Sequence, residues 1–417
     1  MSNDEGNPNP QMTKTGREGF HAHSDFVIPS SLDIRHSSFS AGMVANAAQL
    51  ARLVQQIESA SRIAIDTEAD SLHSYREKLC LLQISVPAVA GVGDAGPDLE
   101  IASANRDHRS RLQQHDAIVD PLAGVDLEPL RRAFESKEIV LHGADYDLRM
   151  LRRGLNFIAQ QIFDTTIAAR LLGIREFSLA ALVERYFGLA LPKGSQKANL
   201  AKRPLPARMM EYAINDTRYL LPLAEKLEAE LDHCGRRDWL RQSCERAIEQ
   251  AAVTRIRKED GFWRIRGAGS LDGRAAAVLR ALWQWRETEA EMVDRPPFHI
   301  LQNESLLEAA MAFASGRTPE YKHFSARRRH AFHEAARTAL AMPESEWPVL
   351  RRQFGTRPTA EMVRRTEELR RRRDKSAEEL GLEPSFVAPR STLEAIATDP
   401  ERVASLLVPW QHELLGL

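Results

Sequence analysis

The chain has 417 residues, 43% of them hydrophobic and 28% charged, with a net charge of −1 at neutral pH. That length exceeds one ordinary core and predicts two or three domains of a soluble globular protein. A near-zero balance gives no global sign of a nucleic-acid binder, and no apolar run reaches the length of a membrane span.

The start, Met1-Ser2-Asn3-Asp4-Glu5-Gly6, lacks the charged-then-apolar pattern of a secretory leader. The three cysteines, Cys80, Cys234 and Cys244, have no metal-ligand spacing and fit a reducing cytoplasm. Before Arg236 there are 26 basic against 31 acidic residues, and from there on 31 against 27, a difference too small to assign partners by itself.

Residues 1–24 are polar and rich in Asn, Gly and Pro, the composition of a disordered segment, and folding is expected to begin near Phe26-Val27-Ile28. Asn46 to Ala60 reads as a helix, with Asn46 as N-cap and Leu50, Leu53, Val54 and Ile57 as its inner stripe. The Ile-rich run from Arg62 then reads as a buried strand that ends in Asp66-Thr67-Glu68. Side chains on a strand alternate, so Asp66 and Glu68 leave the same face. Two like charges side by side on an apolar strand repel, and each resists losing its water; a cation between them resolves both costs. Taken alone, Asp-x-Glu equally suits a strand end that has reached solvent.

Leu79 to Val86 reads as a second strand, near enough to pair antiparallel. Residues 87–116 show no sustained periodicity and read as an inserted mobile loop, after which Ala117 to Asp120 resumes as a strand. Leu127 to Ser136 reads as a helix and Ile139 to His142 as a strand. Ala144 to Leu155 is an amphipathic helix with Leu148, Leu151 and Leu155 on one face. Asp147 shares the face of Leu151 and points inward, whereas Asp145, two positions away, points elsewhere. Asp164 has the type and place of an N-cap for Thr166 to Leu172, and Leu179 to Phe187 and Ala207 to Leu231 are further helices. Within the last, Tyr212 and Asp216 are neighbours one turn apart. Strands first and helices after predict a mixed α/β domain over residues 25–235.

From Asp238 onward helical periodicity replaces strands, over Ala275 to Met292, Ser305 to Ala314, Ala326 to Leu340, Ala360 to Leu380, Thr392 to Ala397 and Pro400 to Leu415. Pro-rich breaks interrupt this part, which reads as one or two small helical bundles.

Asp66-x-Glu68, His142-x₄-Asp147 and Tyr212-x₃-Asp216, in that order, resemble the three exonuclease motifs of the DEDD superfamily in its Tyr-bearing branch, DEDDy. The words around them, Leu81-Leu82-Gln83-Ile84, Leu141-His142-Gly143-Ala144, Phe163-Asp164-Thr165 and Arg203-Pro204-Leu205, are similar to those of the ribonuclease D family and its nuclear-exosome relatives. Leu279 to Glu287 followed by Arg295-Pro296-Pro297 resembles the HRDC domain, and Leu369 to Ala377 followed by Gly381 to Pro384 repeats that order more faintly.

The resemblance implies a ribonuclease H-like exonuclease domain followed by HRDC-type helical bundles, an HRDC domain over residues 260–341 and a second, divergent one over 342–417. It implies a 3′-5′ exoribonuclease that trims RNA 3′ ends, tRNA precursors among them, with two divalent cations, Mg²⁺ or Mn²⁺, as cofactors. Asp66, Glu68, Asp147 and Asp216 would hold the cations and Tyr212 would orient the attacking water. Thr67, Leu72, His73, Tyr75, His142, Lys202 and Arg203 would meet the substrate. Several carboxylates and no Cys cluster is the donor set that hard cations take. A DNA exonuclease and an inactive RNA-binding scaffold are the competing readings; the intact motif positions argue against the second. The sequence departs from the family at Leu200, where a tryptophan is usual, and in the length of the loop after Val86. Trp283 or Trp285 is expected in a core, and the arginines at 327–329 and 370–373 are expected on solvated faces or at phosphates.

Overall fold

The computed structural model describes residues 43–88, 114–192, 199–253, 261–349 and 358–417. The expectations for segment 1–24, for a fold start near Phe26 and for most of the loop 87–116 fall outside these residues.

Among the described residues a six-stranded sheet runs in the order β1-β4-β3-β2-β5-β6. Its strands are β1 (Met43–Val44), β2 (Arg62–Ala69), β3 (Leu79–Pro87), β4 (Gln114–Val119), β5 (Glu138–Leu141) and β6 (Gln161–Asp164). β2 pairs antiparallel with β3, as its spacing predicts, and parallel with β5, so the strand carrying Asp66 and Glu68 lies inside the sheet. Strands β1 and β6 are short, and β6 extends the sheet just before the helix that Asp164 caps.

Helix α1 (Ala47–Glu58) starts where Asn46 Oδ1 accepts from Gln49 N–H at 3.0 Å, and it buries Leu50, Leu53 and Ile57. Helices α2 (Glu128–Phe134), α3 (Asp145–Leu155), α4 (Thr165–Leu171), α5 (Leu179–Phe187), α6 (Ala207–Arg218) and α7 (Leu220–His233) follow. The core of this α/β region runs past residue 235: α8 (Arg237–Ala252) adds Leu240, Cys244 and Ala251 to it. α6 covers the face from which Asp66 and Glu68 project. In the register Glu68 lies opposite Leu81, and Gln83, opposite Asp66, lies also opposite Ile118. Leu81 and Ile118 pack against Ala213, Ile214 and Leu205.

The rest is helical. The first repeat comprises α9 (Gly273–Met292), α10 (Pro297–Ile300), α11 (Asn303–Ala314) and α12 (Ala326–Leu340). The second comprises α13 (Ala360–Leu380), α14 (Pro384–Val387) and α15 (Arg390–Thr398). The stretch from Pro400 is broken rather than one helix: Leu407 is extended, and Pro409 begins a separate helix, α17 (Pro409–Leu415), after the short α16 (Val403–Leu406). The two repeats share an internal brace. Arg286 Nη1 donates to Leu301 O, fifteen residues on, at 3.0 Å, and Arg373 Nη1 donates to Ala388 O over the same interval at 2.9 Å.

They differ in what they pack against. The first has its own core around Leu282, Trp285, Phe313 and Phe332, and Trp285 is the buried tryptophan. The second gives Ala377, Leu382 and Val387 to the core of the α/β region. There Trp410 stacks on Trp239 at 5.0 Å between centroids, and Arg236 bridges Leu171 O and Leu380 O at 2.7 and 2.9 Å. The backbones come close enough that a Cβ on Gly173 would lie 2.4 Å from Gly381 O. Some of these arginines serve the fold: Arg373 is buried against Ala388 O, and the half-buried Arg328 and the exposed Arg327 answer the buried Glu289.

Candidate active site

The oxygens of Asp66, Glu68 and Asp216 gather within 4.8 Å of one another. Strand alternation sets Asp66 and Glu68 on one face of β2, and α6 lies across that face, so its inward turn delivers Asp216 with Tyr212 one turn before it. Asp147 approaches from the start of α3 and is 5% exposed, while Asp145 faces outward and pairs with Arg149. One oxygen of Asp147 accepts from the Thr67 N–H at 3.0 Å and from Thr67 Oγ1 at 2.6 Å. Those two bonds fix the α3 carboxylate against the strand of Asp66 and Glu68.

Burial raises the Asp66 carboxyl well above its ordinary range, and the charges of Asp147, Asp216 and Glu68 raise it further. Burial likewise raises Glu68. Asp147 is pushed up to about 7 by burial, against the two Thr67 bonds, and Asp216 to about 7 by burial and then by Glu68 and Asp147. The Tyr212 hydroxyl rises to about 12, through burial first and then through Asp216, Glu68 and Asp66. Charges of one sign, crowded and half-buried, suit a cation, and an all-oxygen donor set suits Mg²⁺ or Mn²⁺ rather than a soft metal. The residues therefore fit a divalent cation site.

Four residues expected to meet substrate have other partners. Thr67 spends its hydroxyl on Asp147. Arg203 donates to Asp120 through Nε and Nη2, both at 2.6 Å, and also to Cys80 O, Leu200 O and Lys202 O, so its fork is fully used in tying the approach to α6 onto the sheet. His142 is held by Thr165 Oγ1 at 2.8 Å, and burial lowers its pKa against the opposing pull of Asp164. Tyr75 turns its ring to the core of the first helical repeat. Leu72, 44% exposed, and His73 stay on the turn after Glu68, and Lys202 is exposed. Leu200, where the family usually has tryptophan, packs beside Leu81 and Leu205.

Two acids have roles that their spacing did not reveal. Asp164 caps α4 through Thr166 N–H at 2.8 Å and also accepts from Gly143 and Ala144 N–H at 3.1 and 2.8 Å. It thereby anchors the turn that launches α3, where Gly143 has a φ of +77° that favours glycine. Asp70, nearly buried, closes the turn after Glu68 through Ser74 Oγ and Lys78 N–H at 2.8 and 2.7 Å. Only the capping pattern of Asp164 was visible in the sequence.

Comparison with known proteins matches residues 42–232 to a 3′-5′ exonuclease family and residues 275–313 to the HRDC domain. Curated relatives named ribonuclease D, from Sphingobium indicum and Zymomonas mobilis, are 31% and 33% identical over 274 and 278 residues. The chain is similar to the ribonuclease D family and carries a 3′-5′ exonuclease domain and an HRDC domain. Each of those two matches covers 64% of this chain and 63% of the relative. The crystal structure of Escherichia coli RNase D, at 21% identity, superposes with a TM-score of 0.62 over 91% of this chain and 99% of the other. That likeness concerns the fold: the chain shares with it the mixed sheet followed by helices. The HRDC match falls within the first helical repeat and takes in α9 and its buried Trp285.

Proposed function

We propose that the chain is a metal-dependent 3′-5′ exoribonuclease of the DEDDy type. The observation that carries this reading is the convergence of Asp66, Glu68 and Asp216, from two separate elements, within 4.8 Å and with Tyr212 beside them. Asp66, Glu68, Asp147 and Asp216 would hold two divalent cations, Mg²⁺ or Mn²⁺. When bound, such ions activate water and stabilise the departing oxygen of a phosphodiester. The protein's own part is to hold the acids still, with Thr67 bracing Asp147, and to orient water. With its hydroxyl raised to about 12, Tyr212 stays protonated at neutral pH and serves as a hydrogen-bond donor that aims the water, not as the base.

The reading takes RNA as the substrate, supported by the similar relatives named ribonuclease D and by the E. coli protein, described as an exoribonuclease involved in structured RNA processing. We assign 3′-extended tRNA precursors as the substrate class and the cytoplasm as the compartment, the latter in keeping with three unpaired cysteines. Among the described residues no helix is long and apolar enough to cross a membrane. The test is an assay of the full chain on 3′-extended tRNA, single-stranded RNA and single-stranded DNA, with Mg²⁺, with Mn²⁺ and with chelator. Stepwise release of nucleoside 5′-monophosphates from RNA only with metal is expected. Preference for DNA, or no metal-dependent release from any of the three, would overturn the reading.

A further inference from the structure

Residues that face each other across the antiparallel pair of β2 and β3 leave the same side of the sheet. Gln83 faces Asp66 on one side and Ile118 of β4 on the other. Its neighbours two positions along β3, Leu81 and Ser85, share that side. Leu81 and Ile118 pack against Ala213 and Ile214 of α6, and Ser85 Oγ bonds Thr217 Oγ1 at 2.9 Å. Gln83 therefore lies in the layer between the sheet and α6, directly beside the first acid of the site.

A carboxamide is an expensive side chain for that place. Gln83 is fully buried, and neither its Nε2 nor its Oε1 has a hydrogen-bond partner among the described residues. An amide brings two N–H donors and a carbonyl acceptor, and leaving them unmet out of water costs more than burying an apolar side chain of the same size. The polar groups buried nearby are all served. Thr67 and Asp147 bond one another, Ser85 reaches Asp116 at 2.7 Å as well as Thr217, and Asp120 holds Arg203. Leu81 and Ile118 offer no polar side-chain atom, so the Asp66 carboxyl is the directly opposite group that a Gln83 N–H can serve. Side chains opposite one another on such a pair have Cβ atoms about 4.5–5.5 Å apart, within reach of the glutamine stem.

We propose that Gln83 is a positioning residue for Asp66: its Nε2 donates to the Asp66 carboxylate when that group holds a divalent cation, and fixes which oxygen turns to the ion. Carboxylates that ligate metals are held by hydrogen bonds of this kind. On the exonuclease reading, on which this rests, Gln83 does for Asp66 what the Thr67 N–H and hydroxyl do for Asp147. A glutamine that merely filled space would affect stability when replaced and leave metal affinity alone.

The experiment compares the full chain as wild type, Gln83→Met, Gln83→Leu and Asp66→Asn. It measures melting temperature in chelator, the Kd for Mn²⁺ by calorimetric titration, and kcat on a short single-stranded RNA in saturating Mn²⁺. Methionine keeps the unbranched length of glutamine without its amide, and leucine fills the site with a different shape, so a single poor fit does not decide the result. Both variants are expected to melt at or above wild type without metal, since an unmet buried amide is gone. Their Mn²⁺ affinity should fall about ten- to a hundredfold, the usual effect of losing a donor behind a metal ligand, and kcat about tenfold. Unchanged Mn²⁺ affinity in the variant that melts closer to wild type would overturn the proposal. A lowered melting temperature in both variants would overturn it too, because the amide would then serve the metal-free fold. If the Gln83 variants bind Mn²⁺ weakly but wild type is no faster on RNA than Asp66→Asn, the exonuclease reading fails and the positioning of Asp66 stands. If Asp66→Asn binds Mn²⁺ as tightly as wild type, the cation site fails and the proposal with it.

Discussion

Glu289 in the first helical repeat and Asp66 in the sheet are both acids taken out of water, and their surroundings treat them oppositely. Around Glu289 burial opposes ionisation, but Arg327 and Arg328 together give three hydrogen bonds of 2.7 to 3.1 Å and hold the carboxyl below its usual range. Around Asp66 burial acts in the same direction, and the neighbouring charges of Asp147, Asp216 and Glu68 add to it. The chain has 57 basic residues for 58 acidic ones, so an unanswered cluster is no consequence of scarce cations. The difference separates acids that complete the fold from acids arranged for a guest. An unpaired buried charge is expensive, and a cluster of them persists when a bound cation repays the cost.

The largest expected effect breaks the cluster itself. Asp66→Asn should lower exonuclease activity by about a thousandfold or more, the scale of several kcal/mol of metal-assisted stabilisation. In the metal-free protein the same change removes a repelling charge and should leave the melting temperature equal or higher. Tyr212→Phe should cost about a hundredfold in kcat, within the range for a positioned proton-transfer or orienting group, while Mn²⁺ affinity stays near wild type. A large loss of metal affinity in Tyr212→Phe would make the tyrosine structural. Glu289→Gln should do the reverse of Asp66→Asn. It should cost about 1–3 kcal/mol of stability by denaturant unfolding, because two arginines lose their partner, and leave kcat on short RNA unchanged.

The smallest effect is a matter of pH. Asp147 and Asp216 sit at about 7 when folded, against about 4 for an open carboxylate, so between those values the folded chain holds more protons than the unfolded one. The metal-free protein should therefore lose stability as pH rises from about 4 to about 7. Cations take the ionised form, so the rise in melting temperature that Mn²⁺ brings should grow across the same window. A metal-induced shift that is flat between pH 5 and 8 would mean these carboxyls are not its ligands.

Much of the site was legible because two periodicities carry it. The two-residue period of β2 puts Asp66 beside Glu68, and the helical period puts Tyr212 beside Asp216 and turns Asp147 inward beside Leu151. Caps were equally local: Asn46 and Asp164 each bond the N–H groups that follow them. The misses have physical causes of another kind. β1 and β6 span two and four residues, too short for alternation to show. α8 went unread because its inward stripe is thin, with Leu240, Cys244 and Ala251 its buried members among many charges. Arg203, Tyr75 and Thr67 carry donors that suit a phosphate, and only the fold reveals that Asp120, Glu287 and Asp147 take them first. Sequence spacing fixes direction within one element; which distant partner waits there is a tertiary fact.

The most direct test of the central claim is calorimetric titration of MnCl₂ into the metal-free full chain at pH 7.5, in two buffers of different ionisation heat, beside Asp66→Asn. Saturable binding to wild type with net proton release, as acids raised toward 7 give up their protons, and strongly weakened binding to Asp66→Asn are the predicted results. Equal binding by the two proteins, or no binding by wild type, would contradict the account: the three carboxylates would then be crowded for some other reason than to receive a metal ion.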